Sequence, residues 1–143
     1  RVTLAGELTH GPVVLVLLRG WPGYQCPFCT RQFADFLGHA PAFEADRARV
    51  VWVYPGPADP LQQHASEFLA SRPLPSNFRV TTDPDYVFTN AYGLRWDAPQ
   101  ETAYPATFVI DRGATVRFAQ ISIGHDGRAL ATDVLKALEK LPR

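Results

Sequence analysis

The chain of 143 residues contains two cysteines, two positions apart, as Cys26-Pro27-Phe28-Cys29. They follow an apolar run, Val13-Val14-Leu15-Val16-Leu17-Leu18, and precede a stretch with helical spacing. A thiol at a strand-to-helix turn meets unpaired backbone N–H groups and the positive end of the helix dipole, both of which favour the thiolate. Such settings lower a cysteine pKa from about 8.5 to about 3.5–7.5. A spacing of three puts both sulfurs on one side of the first helical turn. One thiolate can then attack a disulfide, and the second thiol can resolve the mixed disulfide. Cys26, at or outside the cap, is expected to be the more exposed and the attacking thiol. Cys29, one turn in, is expected to be buried and resolving. Pro27 lacks an N–H, a loss that costs little near the first helical position.

Other chemistries fit less well. Zinc takes four ligands, and there is no second cysteine pair; His10, His39, His64 and His125 show no paired ligand spacing. Haem attachment would need His at position 30, which is Thr30. No metal and no cofactor are therefore expected, and the plain alternative is an idle cysteine pair on a non-enzymatic binding module. Trp21, Tyr24 and Phe28 surround the pair, either as a shield and apolar docking surface or as ordinary core. Arg19, leaving the apolar run, either steadies a thiolate or orients a peroxide, or simply reaches solvent. Arg128 is read in the same way, as a cation at a helix start. Glu101 and Asp97 are proton acceptors or solvated loop charges.

Apolar residues make up 46% of the chain and charged ones 20%, with a formal net charge of +0, which suits a globular protein with a sizeable core. Lys and Arg are scattered, so no nucleic-acid surface is expected. The longest apolar run is far short of the ~20 residues that span a bilayer, so no membrane partner is expected either. Position 1 is Arg rather than Met, so an N-terminal piece is expected to precede it.

Residues 1–143 read as a single domain. Val13–Leu18 has the continuous apolar character of a central strand buried on both faces. Phe33, Phe36 and Leu37 continue a helix from Pro27, interrupted by Gly38 and Pro41 ahead of Phe43. Val50–Tyr54 reads as a second buried strand. Asp59-Pro60 reads as a helix start, continued by His64, Phe68 and Leu69. Phe78–Thr81 is a short strand, and Asp85–Tyr92 a short helix that Gly93 can end. Ala106–Ile110 and Thr115–Ile121 form a hairpin. Leu130, Val134, Leu135, Leu138 and Leu141 stripe a C-terminal helix. The alternation predicts an α/β fold with a mixed central sheet and helices on both faces.

The Cys-x-x-Cys turn after the first strand, with Tyr104-Pro105 before a hairpin strand, resembles the thioredoxin superfamily. The extra strand–helix unit around residues 50–81, Asp83-Pro84-Asp85, Ala91-Tyr92-Gly93-Leu94 and Pro105-Ala106-Thr107-Phe108-Val109-Ile110-Asp111 narrow this to the peroxiredoxin-like branch (alkyl hydroperoxide reductase/thiol-specific antioxidant, or redoxin, group). The resemblance implies a thioredoxin fold in which Pro105 is a cis-proline facing the cysteines. Two departures stand out. In peroxiredoxins a proline, three residues, a Thr or Ser, two residues and the peroxidatic cysteine follow one another; here Pro22, Cys26 and Cys29 hold those places. The arginine expected three residues before Phe108 is replaced by Pro105.

The resemblance therefore implies a thiol–disulfide oxidoreductase acting through Cys26 and Cys29, with Pro105, Tyr104, Pro27, Phe28, Trp21 and Arg19 in support. Its partners would be a protein or small-molecule disulfide and an external thiol reductant. A thiol peroxidase taking hydroperoxides, with Cys29 or Cys26 peroxidatic, is the second reading. The resemblance also brings a homodimer among the expected assemblies. A reduced dithiol fits the cytoplasm, with the periplasm as the other location considered.

Overall fold

A computed structural model describes residues 2–142. Eleven elements follow one another: α1 (Leu4–Leu8), β1 (Val13–Leu17), α2 (Pro27–Gly38), α3 (Ala40–Ala45), β2 (Arg49–Gly56), α4 (Ala58–Leu69), β3 (Phe78–Pro84), α5 (Val87–Ala91), β4 (Ala106–Ile110), β5 (Val116–Ile121) and α6 (Ala131–Glu139). The strands form one sheet in the order β3-β2-β1-β4-β5. β1 runs parallel to β2, and β2 to β3, because helices return the chain between them. The β4–β5 hairpin joins the other edge of β1 antiparallel, with Leu15 opposite Phe108.

β1 shows why the sequence builds two layers. Successive side chains of a strand point to opposite faces. Val14, Val16 and Leu18 enter one core with Phe33, Phe36, Trp52, Phe68, Phe78, Val134 and Leu138. Val13, Leu15 and Leu17 enter the other with Val51, Val53, Leu94 and Ile110. The first core is aromatic: Phe33 and Phe36 meet Trp52 edge-on at 4.8 and 5.1 Å, pairs worth about 0.5–1.5 kcal/mol each beyond their buried area. Both cysteines belong to this core.

The expected strands and the mixed sheet are present, as is the strand–helix unit of residues 50–81. Four details differ. α1 is an additional helix, started by the Thr3 hydroxyl accepting from Gly6 N–H at 3.1 Å. Asp59 and Pro60 have non-helical backbone and are joined by a cis peptide bond, so α4 becomes regular only beyond them. Asp85 and Tyr86 take positive φ and lie outside α5. The cap there is Asp83, whose carboxylate accepts from the N–H groups of Phe88 and Thr89 at 2.8 Å each. Leu130 is exposed and precedes α6 rather than lying on its buried stripe. Gly93, with φ +69°, follows α5 as expected. Among the described residues no helix is long and apolar enough to cross a membrane.

Candidate active site

The chain leaves β1 through Leu18, Arg19 and Gly20. Gly20 has φ +78°, and a Cβ there would stand 2.1 Å from the Pro55 carbonyl oxygen, so only glycine fits this close approach to β2. The turn that follows delivers Cys26 to the N-cap of α2, with Pro27 in the first turn. Pro27 is exposed, as its missing N–H permits there. The Cys29 N–H donates to Cys26 Sγ at 3.4 Å, and the Arg19 N–H donates to Cys29 Sγ at 3.3 Å. Both cysteines are free thiols.

A third donor reaches both sulfurs. The Arg128 guanidinium places Nη1 3.0 Å from Cys29 Sγ and Nη2 3.5 Å from Cys26 Sγ. Its Nε donates to the His125 carbonyl at 2.8 Å. The Cys29 thiol bonded to it, the Arg128 charge and the N–H groups of Cys29 and Phe28 together hold Cys26 down at about 5, against the opposing effect of burial. Burial, followed by the bond to Cys26, pushes Cys29 well above the ordinary thiol range. The pair thus divides into a thiolate at Cys26 and a thiol at Cys29.

The expected contrast in exposure is not found. Cys26 has 0% and Cys29 1% of their surface open to solvent. Cys26 occupies the shallower place, but the first turn of α2 and Arg128 close over it.

Arg19 neither points to solvent nor turns its guanidinium to the sulfurs. It is buried, bonded to Tyr24 Oη at 2.9 Å, Glu101 Oε1 at 2.7 Å and the Gln100 carbonyl at 3.3 Å. Burial alone would disfavour its charge, but the bonds to Tyr24 and Glu101 raise its pKa. Glu101 is therefore a paired, largely buried carboxylate rather than a solvated loop charge. His125 Nε2 lies 3.0 Å from each of its oxygens. Trp21 stacks on His64 at 4.0 Å between ring centroids. Phe28 is half-buried, 6.4 Å from the His125 ring and 4.7 Å beneath the Arg31 guanidinium.

Tyr104-Pro105 requires a correction. The cis peptide among the described residues is Asp59–Pro60, so the Tyr104–Pro105 bond is trans. The segment is already extended here: Ala103 bridges Arg95, Tyr104 N–H donates to the Leu94 carbonyl, and β4 begins at Ala106. A trans bond continues that path into the sheet. Pro105 is buried, and its carbonyl accepts from Ser122 N–H at 2.8 Å, while Tyr104 stacks on Trp96 at 4.8 Å.

The principal site residue undervalued by sequence reasoning is Arg128. A cation three residues before α6 opposes that helix's dipole, and this mismatch was the available signal. Gln25 and Tyr54 carried none: the Tyr54 hydroxyl donates to Gln25 Oε1 at 2.9 Å, and Gln25 Nε2 donates to the His64 carbonyl at 2.8 Å.

The Redoxin family model matches residues 1–135. No curated protein matches the chain. Among solved structures, the peroxidoxin BcpB of Mycobacterium tuberculosis is 23% identical with a TM-score of 0.76, covering 98% of this chain and 86% of that one. The bacterioferritin comigratory protein of Xanthomonas campestris, described for alkyl peroxide reduction, is 20% identical with a TM-score of 0.75, covering 99% of this chain and 85% of that one. AhpC of Mycobacterium tuberculosis is 20% identical with a TM-score of 0.69, covering 91% and 68%. These likenesses establish the fold.

Proposed function

The chain belongs to the Redoxin family, and from that premise we propose that it is a thiol–disulfide oxidoreductase of the peroxiredoxin-like branch, working through a Cys26/Cys29 couple within one redoxin domain. The observation that carries this reading is the unequal pair: a sulfur at a helix N-cap, held as thiolate by two donors, beside a protonated sulfur one turn away.

The thiolate of Cys26 attacks one sulfur of a substrate disulfide. A mixed disulfide forms and the other substrate sulfur leaves, taking up a proton as a thiol. Cys29 then loses its proton and attacks Cys26 Sγ, releasing the second substrate thiol and closing the Cys26–Cys29 disulfide. Two electrons pass from the protein to the substrate, and an external dithiol restores the pair. Because neither sulfur is open to solvent, attack requires the cover to part. Phe28 and Trp21, at the rim, offer apolar surface to the incoming disulfide.

A second reading is favoured by Arg128. The arginine missing at position 105 is replaced in space by a guanidinium from another part of the chain, able to draw charge from a hydroperoxide. The relatives' names point the same way. In that reaction Cys26 takes the terminal oxygen as a sulfenic acid and releases an alcohol or water; Cys29 then condenses with it and releases water.

Stopped-flow oxidation of the wild type, Cys26→Ser and Cys29→Ser by a model disulfide and by hydroperoxides tests both readings. Loss of disulfide reduction in Cys26→Ser and a trapped mixed disulfide in Cys29→Ser are expected. Peroxide consumption no faster than that of free thiols removes the second reading. Undiminished disulfide reduction in both variants removes the first and leaves a binding module.

A further inference from the structure

The position of the Arg128 side chain needs an explanation. Arginine loses up to about 2 kcal/mol of rotamer freedom when fixed, and nothing in its own stem directs it towards sulfur. Its anchor is the bond from Nε to the His125 carbonyl. That carbonyl belongs to the turn after β5, where Gly127 has φ +69° and most residues are exposed or half-buried. The turn is in turn tied to the body of the protein by the His125 ring, 3.0 Å from both oxygens of Glu101. Trp96 flanks the same ring at 5.3 Å.

Glu101 is itself fixed. Its Oε1 accepts from Arg19 Nη2 at 2.7 Å, and the side chains are 12% and 3% exposed. The Thr102 hydroxyl is bonded to the Arg19 carbonyl, and Arg95 Nη1 donates to the Thr102 carbonyl at 2.7 Å. The path then closes, because the Arg19 N–H donates to Cys29 Sγ. From that sulfur the bonds run through Arg19, Glu101, His125 and Arg128 back to the same sulfur. The charged and titratable groups along this circuit are Arg19, Tyr24, Glu101, His125, Arg128 and the two thiols.

We propose that Glu101, acting through His125, is the positioning residue that holds the Arg128 guanidinium against the two sulfurs. The proposal deepens the thiolate reading above and rests on it. Glu101 touches neither sulfur. It acts by holding the turn from which Arg128 reaches in, so that charge is delivered to Cys26 in a fixed direction rather than by a side chain free to swing into solvent.

The test follows thiolate ionisation by ultraviolet absorbance and by iodoacetamide alkylation across pH. His125 is one-third exposed, so His125→Ala removes the ring tether with little expected cost to folding. It is expected to raise the ionisation of Cys26 by about one unit, slowing alkylation about tenfold at a pH between the two values. Glu101→Gln is expected to shift it in the same direction, and Arg128→Gln at least as far. The His125→Ala/Arg128→Gln double variant should be no worse than Arg128→Gln alone, because both changes break one linkage. His125→Gln, which can still donate to Glu101, should recover much of the wild-type profile.

A His125→Ala profile superimposed on the wild type overturns the proposal, as does full additivity in the double variant. Both outcomes remain readable even if Glu101→Gln does not fold. A wild type with no thiol ionising below the ordinary range defeats the thiolate reading and this inference together. A low wild-type ionisation untouched by His125→Ala defeats the inference alone.

Discussion

Two glutamates lie between cationic side chains at opposite ends of the parallel strands, and they are almost equally covered. Glu101 is 12% exposed and Glu7 13%. Glu101 meets Arg19 at 2.7 Å and His125 at 3.0 Å. Glu7 stands 3.7 Å from Arg49 and 3.6 Å from Arg79, and its buried Oε2 has no hydrogen-bond partner. The arginines account for the difference. Arg49 and Arg79 both give Nη1 to the Ser76 carbonyl, at 3.0 and 2.8 Å, so they brace the entry to β3 and leave Glu7 a looser attraction. Arg19 commits its guanidinium to Glu101 and the residues around it. Short charge-assisted bonds fix orientation, whereas contacts beyond hydrogen-bond length supply attraction with little direction. Similar burial and similar charges thus yield a positioning device at one end and a general brace at the other.

The largest expected effect belongs to the site end. Cys26→Ser should reduce turnover of a disulfide substrate at least about a thousandfold in a dithiol-coupled assay. Next comes Glu101→Ala, which strands the buried Arg19 charge and should lower stability by about 3 kcal/mol in urea unfolding. Arg128→Gln should slow disulfide attack about tenfold near neutral pH while leaving the urea midpoint nearly unchanged.

A pH dependence of stability should also localise to the site. The Cys26 ionisation is lowered on folding from 9.0 to about 5, so between those values the unfolded chain binds more protons. Stability of the reduced protein should rise with pH through that window, by at most about 1.4 kcal/mol per unit. It should be lost as pH falls through the folded value, and Cys26→Ser should flatten the slope. Cys29, shifted the other way, acts only above the ordinary thiol range. The smallest effect is expected from Glu7→Gln, at or below about 1 kcal/mol, with an unaltered alkylation profile. A loss as large as that of Glu101→Ala would erase the distinction between the two ends.

The sequence made the strands and the thiol pair readable because their signals are local. Val13–Leu18 is apolar throughout, Ala106–Ile110 and Val116–Ile121 flank a turn, and Cys26 and Cys29 share one helical turn. The contacts that organise the site are not local. Arg128 meets Cys29 across 99 residues, and Arg19 meets Glu101 across 82, so no periodicity links them. α1 escaped notice because it has only five residues, one of them Gly6. Asp83 was hidden as a cap because two residues with positive φ separate it from α5. For Pro105, the resemblance supplied an isomer that the chain's own extended path into β4 replaces.

The N-cap position of Cys26 has an energetic consequence as well as a kinetic one. Whatever stabilises the Cys26 thiolate stabilises the reduced protein, because the disulfide has no charge to offer the α2 terminus or Arg128. The couple should therefore be displaced towards oxidising potentials, by about 30 mV for each 1.4 kcal/mol of thiolate stabilisation. Equilibration against glutathione should show this displacement, with Arg128→Gln moving the potential back towards that of an ordinary dithiol. A residue that quickens attack on disulfides would then also weaken the protein as a reductant, so the same guanidinium sets the rate and the direction in which electrons prefer to flow.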